Sequence, residues 1–359
     1  MKIAIIGPYP PPYGGISVHI KRMKLYLENK NIDVTVYNDA KEYNNISQKV
    51  ISIGSYKKFI FKVIFLKEDI LHFHSIDKRI RILLGFYKIF NKKIILSLHG
   101  ESMHDQIKTS NYLEKKLLNN SLKKIDYITC SNNKIKEDLV FFGVNQNKIE
   151  VIPEYIKPFE TEEDFESIPQ NVWEFINNSN FLIAANGWIR FYNDEDLYGV
   201  DMLIDLVYEL SKRNIQASLM FALLGAEIQS IEEKKYYCKL KNKIKELGIE
   251  NNIFIFESKN KEFYPILKKS QLFIRPTNTD GNSVSVMEAM DLKIPCITSN
   301  ACPRPEGVVI FKTRDMDDLI KKTMELIQNY EAYKEKAKYI KVEHNDEKLL
   351  TAYKKVVKN

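Results

Sequence analysis

Short apolar runs alternate with amphipathic segments along the first 152 residues of the chain. The run Lys2–Ile6 ends at Gly7, which predicts a buried strand. Apolar residues then recur at helical spacing between Ile16 and Leu27. The further predicted strands are Asp33–Tyr37, Asp69–His74, Ile94–His99, Tyr127–Cys130 and Ile149–Ile152. The helical patterns between them lie near 78–90, 112–124 and 133–142. Strands that alternate with helices predict a mostly parallel sheet covered on both faces.

Residues 153–169 interrupt this alternation with three prolines and a cluster of acidic side chains. The alternation then restarts, with predicted strands at Phe181–Ala185, Ala217–Leu223, Ile253–Phe256, Leu272–Arg275 and Pro295–Ser299. The predicted helices of this half are 200–212, 229–247, 261–269, one that begins near 284, 316–328 and 346–357. We therefore expect two tandem α/β domains with doubly wound parallel sheets, joined by a linker and facing a central cleft. The expected boundaries are 1–155, the linker 156–172, 173–340, and a C-terminal helix in 341–359 that packs back on the first domain.

The composition excludes several classes of protein. With 359 residues, of which 44% are hydrophobic and 28% charged, the chain is typical of globular proteins. Its four cysteines form no C-x-x-C pair, which indicates the reduced thiols of a cytoplasmic protein. No apolar run approaches the roughly 18 residues of a membrane span. The chain has no zinc-finger or RNP-like motif, so nucleic acid is not an expected partner.

Positive charge is concentrated in the first half of the chain. Residues 1–160 hold 26 Lys and Arg against 16 Asp and Glu, a net charge of +10, whereas residues 161–359 hold 28 against 31. Two stretches of the first half, 56–67 and 79–90, interleave bulky apolar with basic residues, as helices on an anionic bilayer do. A core helix with a solvated basic face gives the same pattern, so both interpretations stay open.

Two glycines precede the first predicted helix. The segment Gly7–Gly15 is not the G-x-G-x-x-G of dinucleotide-binding proteins, and no acidic residue is suitably placed to hold an adenosine ribose. A dehydrogenase is therefore disfavoured. Gly14 and Gly15 can still let backbone N–H groups approach a phosphate at the start of the helix. A proline-stiffened turn without a ligand is the alternative.

Histidines stand at the ends of two predicted strands. His72 and His74 lie at the end of the predicted strand Asp69–His74, and the alternation of a strand puts both side chains on the same face. His99 ends the next predicted strand, Ile94–His99. His99 and His74 are candidates for contact with a substrate. The alternative for each of them, and the favoured interpretation for His72, is a histidine that is hydrogen-bonded in the core.

Arg190 follows the first predicted strand of the second half. An arginine beyond a strand end can bind a diphosphate through its forked donors. The alternative is a surface ion pair with the acidic run 194–196. That run, Asp194-Glu195-Asp196, also spells the D-x-D that holds a divalent metal in other transferases. We interpret it as a solvated loop and predict no metal site.

The most informative segment is Arg275–Met290, in which a strand ends and a small polar loop opens a helix. The N–H groups at the start of that helix suit a phosphate. The carboxylates of Asp280 and Glu288 suit pairs of sugar hydroxyls. A capping box formed by Ser285 and Glu288 is the alternative, and it would occupy Glu288 with its own helix.

With these motifs the chain resembles glycosyltransferase family 4, whose members have the GT-B fold. The resemblance covers essentially the whole chain. It rests on the glycine loop ending at Gly15, on His99, and on the spacing of Asp280 and Glu288, which is that of the family's E-x7-E motif. The run 279–285 is similar to that of bacterial envelope and capsular polysaccharide enzymes. The resemblance implies two Rossmann-like domains, the first on the acceptor side and the second binding a nucleotide sugar.

The activity implied by the resemblance is that of a retaining glycosyltransferase of the hexosyltransferase type. Such an enzyme moves a sugar from a nucleotide-diphosphate sugar, with a UDP-sugar as the expected donor. The expected acceptor is a polysaccharide, a glycan or a lipid-linked acceptor of bacterial cell-envelope synthesis. The resemblance implies no metal and no other cofactor. It places the protein in the cytoplasm, with peripheral attachment to the inner face of the cell membrane as a further expectation.

The resemblance also implies roles for individual residues. The expected catalytic residues are His99, Arg190 and Asp280. The expected substrate-binding residues are Gly14, Gly15, His74, Gly281, Asn282, Ser283, Val284, Glu288 and Glu257. His99 would contact the transferred sugar, Arg190 would neutralise the departing diphosphate, and Asp280 would hold sugar hydroxyls. Gly14 and Gly15 would face the diphosphate, and the backbone of 281–284 would cap the sugar and the phosphate. Glu288 would hold the ribose, and Glu257 would lie near the base.

Three positions depart from the family pattern. The first family glutamate is Asp280, which is one methylene shorter. The lysine that usually follows the arginine is absent, with Tyr198 in its place, and Arg275 or Arg304 is a candidate to supply the missing charge. The Asn-Gly pair that usually follows the last N-terminal strand is replaced by Glu154 and Tyr155. The site of this chain is expected to differ at these positions.

Two other functions stay open on the sequence alone. One is another two-domain nucleotide-sugar enzyme, such as an epimerase, which would convert the donor without an acceptor. The other is a non-catalytic carbohydrate- or membrane-binding protein that retains the fold. Incubation with nucleotide sugars and no acceptor separates the first from a transferase. A nucleotide that fails to raise the melting temperature would favour the second.

Overall fold

The computed structural model describes residues 1–40, 49–74, 77–99, 106–107, 109–281 and 283–358. The chain forms two compact units. The N-terminal unit comprises Met1–Phe159 and His344–Asn359, and the C-terminal unit comprises Glu160–Glu343. Each unit contains a parallel sheet with helices, so the predicted doubly wound α/β architecture is confirmed.

The sheet of the N-terminal unit has seven parallel strands in the order β3-β2-β1-β4-β5-β6-β7. The strands are β1 Lys2–Gly7, β2 Asp33–Asn38, β3 Val50–Ser52, β4 Ile70–Phe73, β5 Lys93–Leu98, β6 Tyr127–Cys130 and β7 Ile149–Val151. The helices of this unit are Gly15–Asn29, Tyr56–Lys62, Lys78–Tyr87, Tyr112–Lys124, Asn133–Phe141 and Asp346–Lys358. Since all strands run parallel, their carboxyl ends lie at one edge of the sheet.

Alternate residues of β1 pack on opposite faces of this sheet. Ile3 and Ile5 belong to one apolar cluster, which they share with the first and the last helix of the chain. Ala4 and Ile6 belong to a second cluster, which contains Leu118 and other residues of the helices between 78 and 124. The apolar run that predicted a strand is therefore buried on both sides. The last helix is part of the N-terminal unit because its apolar side completes the first cluster.

The sheet of the C-terminal unit has six parallel strands in the order β12-β11-β8-β13-β14-β15. The strands are β8 Leu182–Gly187, β11 Ser218–Leu223, β12 Ile253–Glu257, β13 Leu272–Arg275, β14 Cys296–Ser299 and β15 Val309–Phe311. A separate antiparallel pair is β9 Phe191–Tyr192 with β10 Glu195–Asp196. The helices are Glu162–Glu166, Gln170–Asn177, Val200–Lys212, Ile231–Glu246, Tyr264–Leu267, Val284–Asp291, Met316–Gln328 and Tyr330–Tyr339.

The expected linker, 156–172, differs from the structure. Its second half contains Glu162–Glu166 and leads into the helix Gln170–Asn177, and both belong to the C-terminal unit. Val172 and Ile176 are buried in the core beside β8 and β12. The acidic side chains that suggested a solvated linker lie in the first turn of a helix, where they interact favourably with the helix dipole.

Several short elements were not predicted from the sequence because they contain a short apolar run or none. They are β3, β15, the β9–β10 hairpin, and the helices Tyr56–Lys62 and Tyr330–Tyr339. In the part of the chain that the structure describes, none of the helices is both long and apolar enough to cross a membrane.

Candidate active site

Gly7 allows His74 to lie directly beside the end of β1. The His74 amide donates to the Ile6 carbonyl oxygen at 2.8 Å. A Cβ atom at position 7 would lie 2.9 Å from His74 Cβ and 2.8 Å from Ile20 Cδ1, closer than real Cβ contacts. Packing therefore restricts position 7 to glycine, and this glycine brings β1 and β4 together where the histidines begin.

His72 is held in the core by two hydrogen bonds. Its Nδ1 lies 2.6 Å from the Tyr353 hydroxyl, and its Nε2 lies 2.7 Å from Ser97 Oγ. The side chain is fully buried. Because both ring nitrogens are paired, His72 connects β4 to β5 and to the last helix. This is the structural role favoured for it above.

His74, His99 and Glu154 form a hydrogen-bonded chain across the carboxyl ends of three strands. His74 Nδ1 lies 2.9 Å from His99 Nε2, and His99 Nδ1 lies 3.2 Å from Glu154 Oε1. His19 adds a fourth ring, whose Nδ1 donates to the backbone oxygen of Glu154 at 2.6 Å. His74 Nε2 is buried and has no hydrogen-bond partner among the residues that the structure describes.

Burial favours the neutral form of three of these histidines. Burial, reinforced by the charge of His99, lowers the pKa of His19 to about 4. Burial also lowers the pKa values of His72 and His74 well below the usual value, and the neighbouring histidines add to this effect. A neutral imidazole has one N–H donor and one acceptor nitrogen. The hydrogen bonds therefore determine which nitrogen carries the proton.

A cavity of about 590 Å³ lies beside His74 in the N-terminal unit. Its apolar lining consists of Pro8, Ile16, Tyr56, Ile60, Ile80 and Leu83. Its polar lining consists of Asp39, Lys57, His74, Asp77 and Arg79. Asp39 accepts a hydrogen bond of 2.5 Å from the Tyr56 hydroxyl, and burial raises the pKa of Asp39. The cavity thus combines apolar walls with a small number of polar groups, as ligand sites do.

Gly14 and Gly15 leave open space at the start of the first helix. Gly14 is the N-cap residue and has an extended backbone with a φ of −157°, which any residue can adopt. A Cβ atom at Gly14 would have Ser17 Oγ as its nearest described neighbour, at 3.9 Å. One at Gly15 would have no described atom within 4 Å. The packing of the described residues does not require glycine here, which supports the interpretation that a ligand approaches this backbone.

Gly15→Ala is expected to leave the free energy of unfolding within about 0.5 kcal/mol of the wild type. The same variant should weaken UDP binding about tenfold, roughly 1.4 kcal/mol, because the new methyl group occupies the approach to the backbone. Calorimetric titration measures the binding, and urea unfolding measures the stability. Gly7→Ala is the contrasting variant, since its methyl group meets Ile20 and His74 and should reduce stability. Unchanged UDP affinity in Gly15→Ala would contradict the interpretation.

Asp280 is held between two buried arginines after β13. Its Oδ2 accepts from Arg275 Nε at 3.1 Å and from Arg304 Nη1 at 3.0 Å. Burial alone would raise the pKa of Asp280, but the two guanidinium groups hold it below its usual value. Arg304 also donates to the Ser299 carbonyl oxygen at 2.9 Å and to Thr277 Oγ1 at 3.1 Å. Two cations and one carboxylate leave a net positive charge at the loop that follows β13.

Arg275 also contacts the position at which the family pattern has lysine. Its guanidinium carbon lies 4.9 Å from the centre of the Tyr198 ring, and its Nη1 donates to the Asn186 carbonyl oxygen at 3.0 Å. Arg275 was one of two candidates for the missing charge, and the structure places it against Tyr198 itself. The two arginines share Asp280, so both candidates belong to one ion-pair cluster.

The helix Val284–Asp291 begins at a serine cap. Ser283 Oγ accepts from the Val286 amide at 3.4 Å. Ser285 Oγ lies 2.9 Å from Asn186 Nδ2, and this contact connects the helix to the end of β8. The alternative capping box of Ser285 with Glu288 is therefore wrong, because the cap lies two residues earlier. Glu288 is buried within the helix, at 3% exposure.

The small loop before this helix is open at Gly281. A Cβ atom at Gly281 would have no described atom within 4 Å, and the Gly281 amide bonds to its neighbour Asp280 Oδ1 at 3.0 Å. Asn282, predicted to bind the donor, lies outside the described residues. Ser283 and Val284 stand at the start of the helix, where backbone N–H groups lack partners within the helix.

Arg190 stacks on an indole ring beyond β8. Its guanidinium carbon lies 4.5 Å from the centre of the Trp188 ring, and its Nε lies 4.0 Å from Glu233 Oε1. The side chain is 52% exposed. Its acidic partner is thus Glu233 and not the run 194–196 that the sequence suggested. Stacking on an aromatic ring holds the cation in place while its outer donors stay accessible.

Asp196 caps a helix, which corrects the interpretation of 194–196 as a solvated loop. Its carboxylate accepts from the amides of Tyr198, Gly199 and Val200 at 3.0 to 3.1 Å. Burial, together with the charge of Asp201, raises the pKa of Asp196 to about 6. Asp194 and Glu195 are exposed, as expected for that loop.

Glu257 lies exposed at the end of β12. Its carboxylate accepts a 3.0 Å hydrogen bond from the Tyr237 hydroxyl. The structure therefore places this residue at a strand end, where the sequence located it. Its expected proximity to a nucleotide base stays a prediction.

Two groups of predicted residues are brought together, each within one unit. His74 and His99 meet in the N-terminal unit, and Asp280 meets Arg275 and Arg304 in the C-terminal unit. The sequence analysis missed Glu154 as a partner of His99. The available signal was a carboxylate three residues beyond the end of β7, at a position where the family pattern has a neutral residue.

Two family models match this chain. The family model described as "Glycosyltransferase Family 4" matches residues 13–158, and the one described as "Glycosyl transferases group 1" matches residues 193–343. A curated relative is an uncharacterized glycosyltransferase of Methanocaldococcus jannaschii. It is 22% identical over 93% of this chain and 90% of its own length.

Solved structures similar to this chain include two bacterial proteins. A glycosyltransferase from Rickettsia africae has a TM-score of 0.68 at 14% identity, with 100% of this chain and 99% of the other covered. HepE of Anabaena in complex with UDP has a TM-score of 0.65 at 14% identity, with the same coverage. HepE is also described in complex with UDP-glucose, with a TM-score of 0.63 at 14% identity and coverage of 100% and 98%. These similarities show the fold.

Proposed function

We propose that the protein is a retaining, metal-independent hexosyltransferase that uses a UDP-sugar. The premise is that the chain belongs to glycosyltransferase family 4 and has the GT-B fold. The observation that carries the donor proposal is the position of Gly281, Ser283 and Val284. These residues stand at the start of a helix and beside an ion-pair cluster with a net positive charge. An anion is stabilised there by backbone N–H groups, by the helix dipole and by that charge.

The C-terminal unit is proposed to hold the nucleotide part of the donor. The backbone of Gly281, Ser283 and Val284 would bind the diphosphate, with Asn282 as a further predicted contact. Glu288, one turn into the helix, would accept hydrogen bonds from the ribose hydroxyls. Asp280 would hold sugar hydroxyls, and Glu257 would lie near the base. HepE, which is similar in fold, is described with UDP and with UDP-glucose, which favours UDP among the nucleotides.

The N-terminal unit is proposed to contribute backbone and histidine groups to the same reaction. Gly14 and Gly15 would face a phosphate, which the open space at both positions supports. The Gly15 N–H would be the donor, because the Gly14 amide donates to Ser17 Oγ at 2.9 Å. His99 would contact the transferred sugar, and His74, which lines the cavity of the N-terminal unit, would contact substrate there. His72 has both nitrogens paired and takes no part.

The mechanism follows from the charge that develops when the sugar leaves its phosphate. The bond between C1 and the phosphate oxygen breaks, the diphosphate gains negative charge, and the sugar acquires oxocarbenium character. Groups that are positioned in advance where charge develops lower the barrier by several kcal/mol. Arg190 is proposed to neutralise the departing diphosphate, since it is a half-exposed guanidinium held by Trp188.

Arg190→Ala is expected to reduce turnover of UDP-glucose more than about tenfold, or roughly 1.4 kcal/mol of transition-state stabilisation. The charge that stabilises the leaving group is lost, whereas the fold is unaffected because the side chain is half exposed. Steady-state UDP release measures kcat. Arg213→Ala is the matched control, because Arg213 pairs with Glu209 on a helix surface. Near-normal turnover of a folded Arg190→Ala protein would remove Arg190 from the mechanism.

The acceptor is proposed to be a glycan, polysaccharide or lipid-linked saccharide of the bacterial cell envelope, modified at the cytoplasmic face of the membrane. Peripheral attachment is supported by two basic stretches of the N-terminal unit that expose apolar side chains. Phe61 and Phe65 are 68% and 78% exposed in the first, and Ile89 is 70% exposed in the second. Each stretch also contributes to the core, through Phe59 and Leu84 among others. Failure to sediment with phosphatidylglycerol vesicles at low salt would exclude the attachment.

A thermal-shift panel of UDP-, GDP-, ADP- and CDP-sugars tests the proposal. The expected result is a rise in melting temperature with UDP-sugars and little change with the others. UDP release from the active donor is expected to persist in EDTA. Accumulation of a converted nucleotide sugar without acceptor would indicate an epimerase-type reaction. The absence of any shift with all four classes would favour a binding protein without catalysis.

A further inference from the structure

We propose that Trp188 and Asn278 are positioning residues for the glycosyl transfer and that both act through Arg190. Trp188 holds the guanidinium group of Arg190, and Asn278 ties the hairpin that follows Arg190 to the loop after β13. This role rests on the function proposed above, in which Arg190 neutralises the diphosphate bound beside that loop. All the residues concerned belong to the C-terminal unit.

Arg190 is half exposed, and its acidic neighbour does not hold it. Its Nε lies 4.0 Å from Glu233 Oε1, which is beyond hydrogen-bond distance. Glu233 is engaged elsewhere, because its Oε2 accepts from the Ser230 amide at 2.7 Å at the start of the helix Ile231–Glu246. An exposed arginine loses rotamer freedom when it binds a substrate. A contact that fixes the guanidinium in advance therefore favours the interaction with a diphosphate.

Trp188 supplies that contact. The guanidinium carbon of Arg190 lies 4.5 Å from the centre of the Trp188 ring, within the range of a cation–π interaction. The ring lies against Gly225, where a Cβ atom would be 1.8 Å from Trp188 Cζ3. The φ of Gly225 is +61°, so both the backbone conformation and the space favour glycine. Gly225 thus leaves room for the indole ring, and the ring holds the guanidinium.

A tight hairpin fixes the backbone next to Arg190. β9 pairs with β10, and the Arg190 carbonyl oxygen accepts from the Leu197 amide at 2.8 Å. Asn193 and Asp194 connect the two strands with positive φ values of 51° and 61°, as the central residues of a type I′ turn require. The local sequence therefore specifies a hairpin whose base is Arg190.

This hairpin is anchored to two helices of the same unit. The Asp196 carboxylate accepts from the amides at the start of the helix Val200–Lys212 at 3.0 to 3.3 Å. It also accepts from the Tyr236 hydroxyl at 3.3 Å, and the Tyr236 ring packs on Phe191 with a centroid distance of 5.0 Å. These contacts hold the backbone beside Arg190 relative to the sheet.

Asn278 connects the hairpin to the loop that follows β13. Its backbone N–H donates to the Leu197 carbonyl oxygen at 3.1 Å. Its Nδ2 donates to the Tyr192 carbonyl oxygen at 3.2 Å and to Glu195 Oε2 at 3.2 Å, and these two acceptors lie on different strands of the hairpin. Asn278 precedes Gly281, where the proposed diphosphate site begins, in the same loop. One residue therefore joins the hairpin beside Arg190 to that site.

Positioning of Arg190 matters most in the transition state, because negative charge grows on the diphosphate as the sugar leaves. A guanidinium that is already held where this charge develops needs no reorganisation when the bond breaks. A variant that releases Arg190 from its position is therefore expected to lower kcat while the KM for the UDP-sugar changes little.

Steady-state UDP release from UDP-glucose, with water as the acceptor, tests whether Trp188 acts through Arg190. Trp188→Leu is expected to lower kcat by about fivefold or more. In the Arg190→Ala background the same substitution is expected to lower kcat by less than about twofold, because the group that Trp188 holds is already gone. Trp173→Leu is the matched control, since Trp173 stacks on Phe165 away from this hairpin. An unchanged kcat in Trp188→Leu, or losses that multiply in the double variant, would overturn the proposal.

Asn278→Ala tests the connection to the loop after β13. It removes both contacts of Nδ2 and keeps the backbone hydrogen bond to Leu197, so kcat is expected to fall about threefold or more. The loss is expected to disappear in the Arg190→Ala background. Asn180→Ala is the matched control, because Asn180 pairs with Gln216 on an exposed surface. A loss of the same size in both backgrounds would remove Asn278 from the positioning of Arg190.

The fluorescence of Trp188 tests the contact without any substrate. The chain has two tryptophans, so Trp173→Phe leaves Trp188 as the only one. A guanidinium on the ring attracts the iodide anion, so adding Arg190→Ala is expected to lower iodide quenching about twofold relative to quenching by neutral acrylamide. Arg213→Ala, which removes a cation from a helix surface, is expected to leave this ratio unchanged. An unchanged ratio in Arg190→Ala would overturn the contact.

Failure of the proposed function gives a different result. A wild-type protein that neither binds UDP nor releases it from UDP-glucose would contradict the glycosyl transfer, whereas iodide quenching would still decide whether Trp188 holds Arg190. An active enzyme in which the losses multiply would contradict the positioning role and leave the transfer standing.

Discussion

Asp280→Ala is expected to lower the free energy of unfolding by about 3–5 kcal/mol, the cost of removing one partner from a buried ion pair. The carboxylate is shared by two guanidinium groups, Arg275 Nε at 3.1 Å and Arg304 Nη1 at 3.0 Å. Side-chain exposure is 11% for Arg275 and 2% for Arg304, so water cannot replace the lost partner. Two buried cations would remain side by side without a counter-ion. Urea unfolding followed by circular dichroism measures the loss.

Two further variants separate charge from packing at this position. Asp280→Asn keeps the shape and loses the charge, so its stability is expected to fall between those of the wild type and the alanine variant. Glu209→Gln removes a carboxylate that pairs with Lys212 and Arg213 on the surface, and it is expected to leave the unfolding curve nearly unchanged. A loss below about 1 kcal/mol for Asp280→Ala would contradict the account of a buried cluster.

Acidification from pH 7 to pH 4 is expected to destabilise the protein, with about 3 kcal/mol of the loss from His19 alone. Burial, together with the charge of His99, lowers the pKa of His19 to about 4 in the folded protein, whereas the unfolded chain has the ordinary value near 6.5. The unfolded state therefore binds more protons between these values. The free energy of unfolding falls as the pH decreases through this window. The lowered pKa values of His72 and His74 also reduce the free energy of unfolding as the pH decreases.

Urea unfolding at several pH values measures this effect. His19→Gln removes the titrating group, so the difference in stability between pH 7 and pH 4 is expected to be about 3 kcal/mol smaller in the variant than in the wild type. His344→Gln is the control, because His344 lies outside the cluster and is exposed. A variant with the same pH dependence as the wild type would show that His19 is not held neutral by the fold.

Most of the fold could be predicted because buried parallel strands leave a direct signal in the sequence. Runs such as Tyr127–Cys130 and Leu272–Arg275 are apolar on both faces and end at polar residues, and the structure has strands with these bounds. The segment 156–172 was harder because prolines and acids are typical of linkers. Its role in the core depends on Val172 and Ile176, whose burial requires the sheet that they cover.

The candidate site could be predicted only in part, because its contacts join residues far apart in the chain. His74 and His99 directly follow β4 and β5, as the predicted strand ends implied, whereas Asp280 lies in the loop beyond β13. The order of strands in the first sheet brings Glu154 to His99 across 55 residues, and no local pattern encodes that order. Similarly, Arg304 reaches Asp280 across 24 residues from the loop after β14. These partners determine the charge and the proton positions of the site.

A crystal structure of the protein with UDP tests the central claim most directly. The account predicts that the diphosphate lies against the backbone of Gly281, Ser283 and Val284 and that the ribose hydroxyls bond to Glu288. UDP bound elsewhere, with the start of the helix Val284–Asp291 left without it, would contradict the proposed donor site.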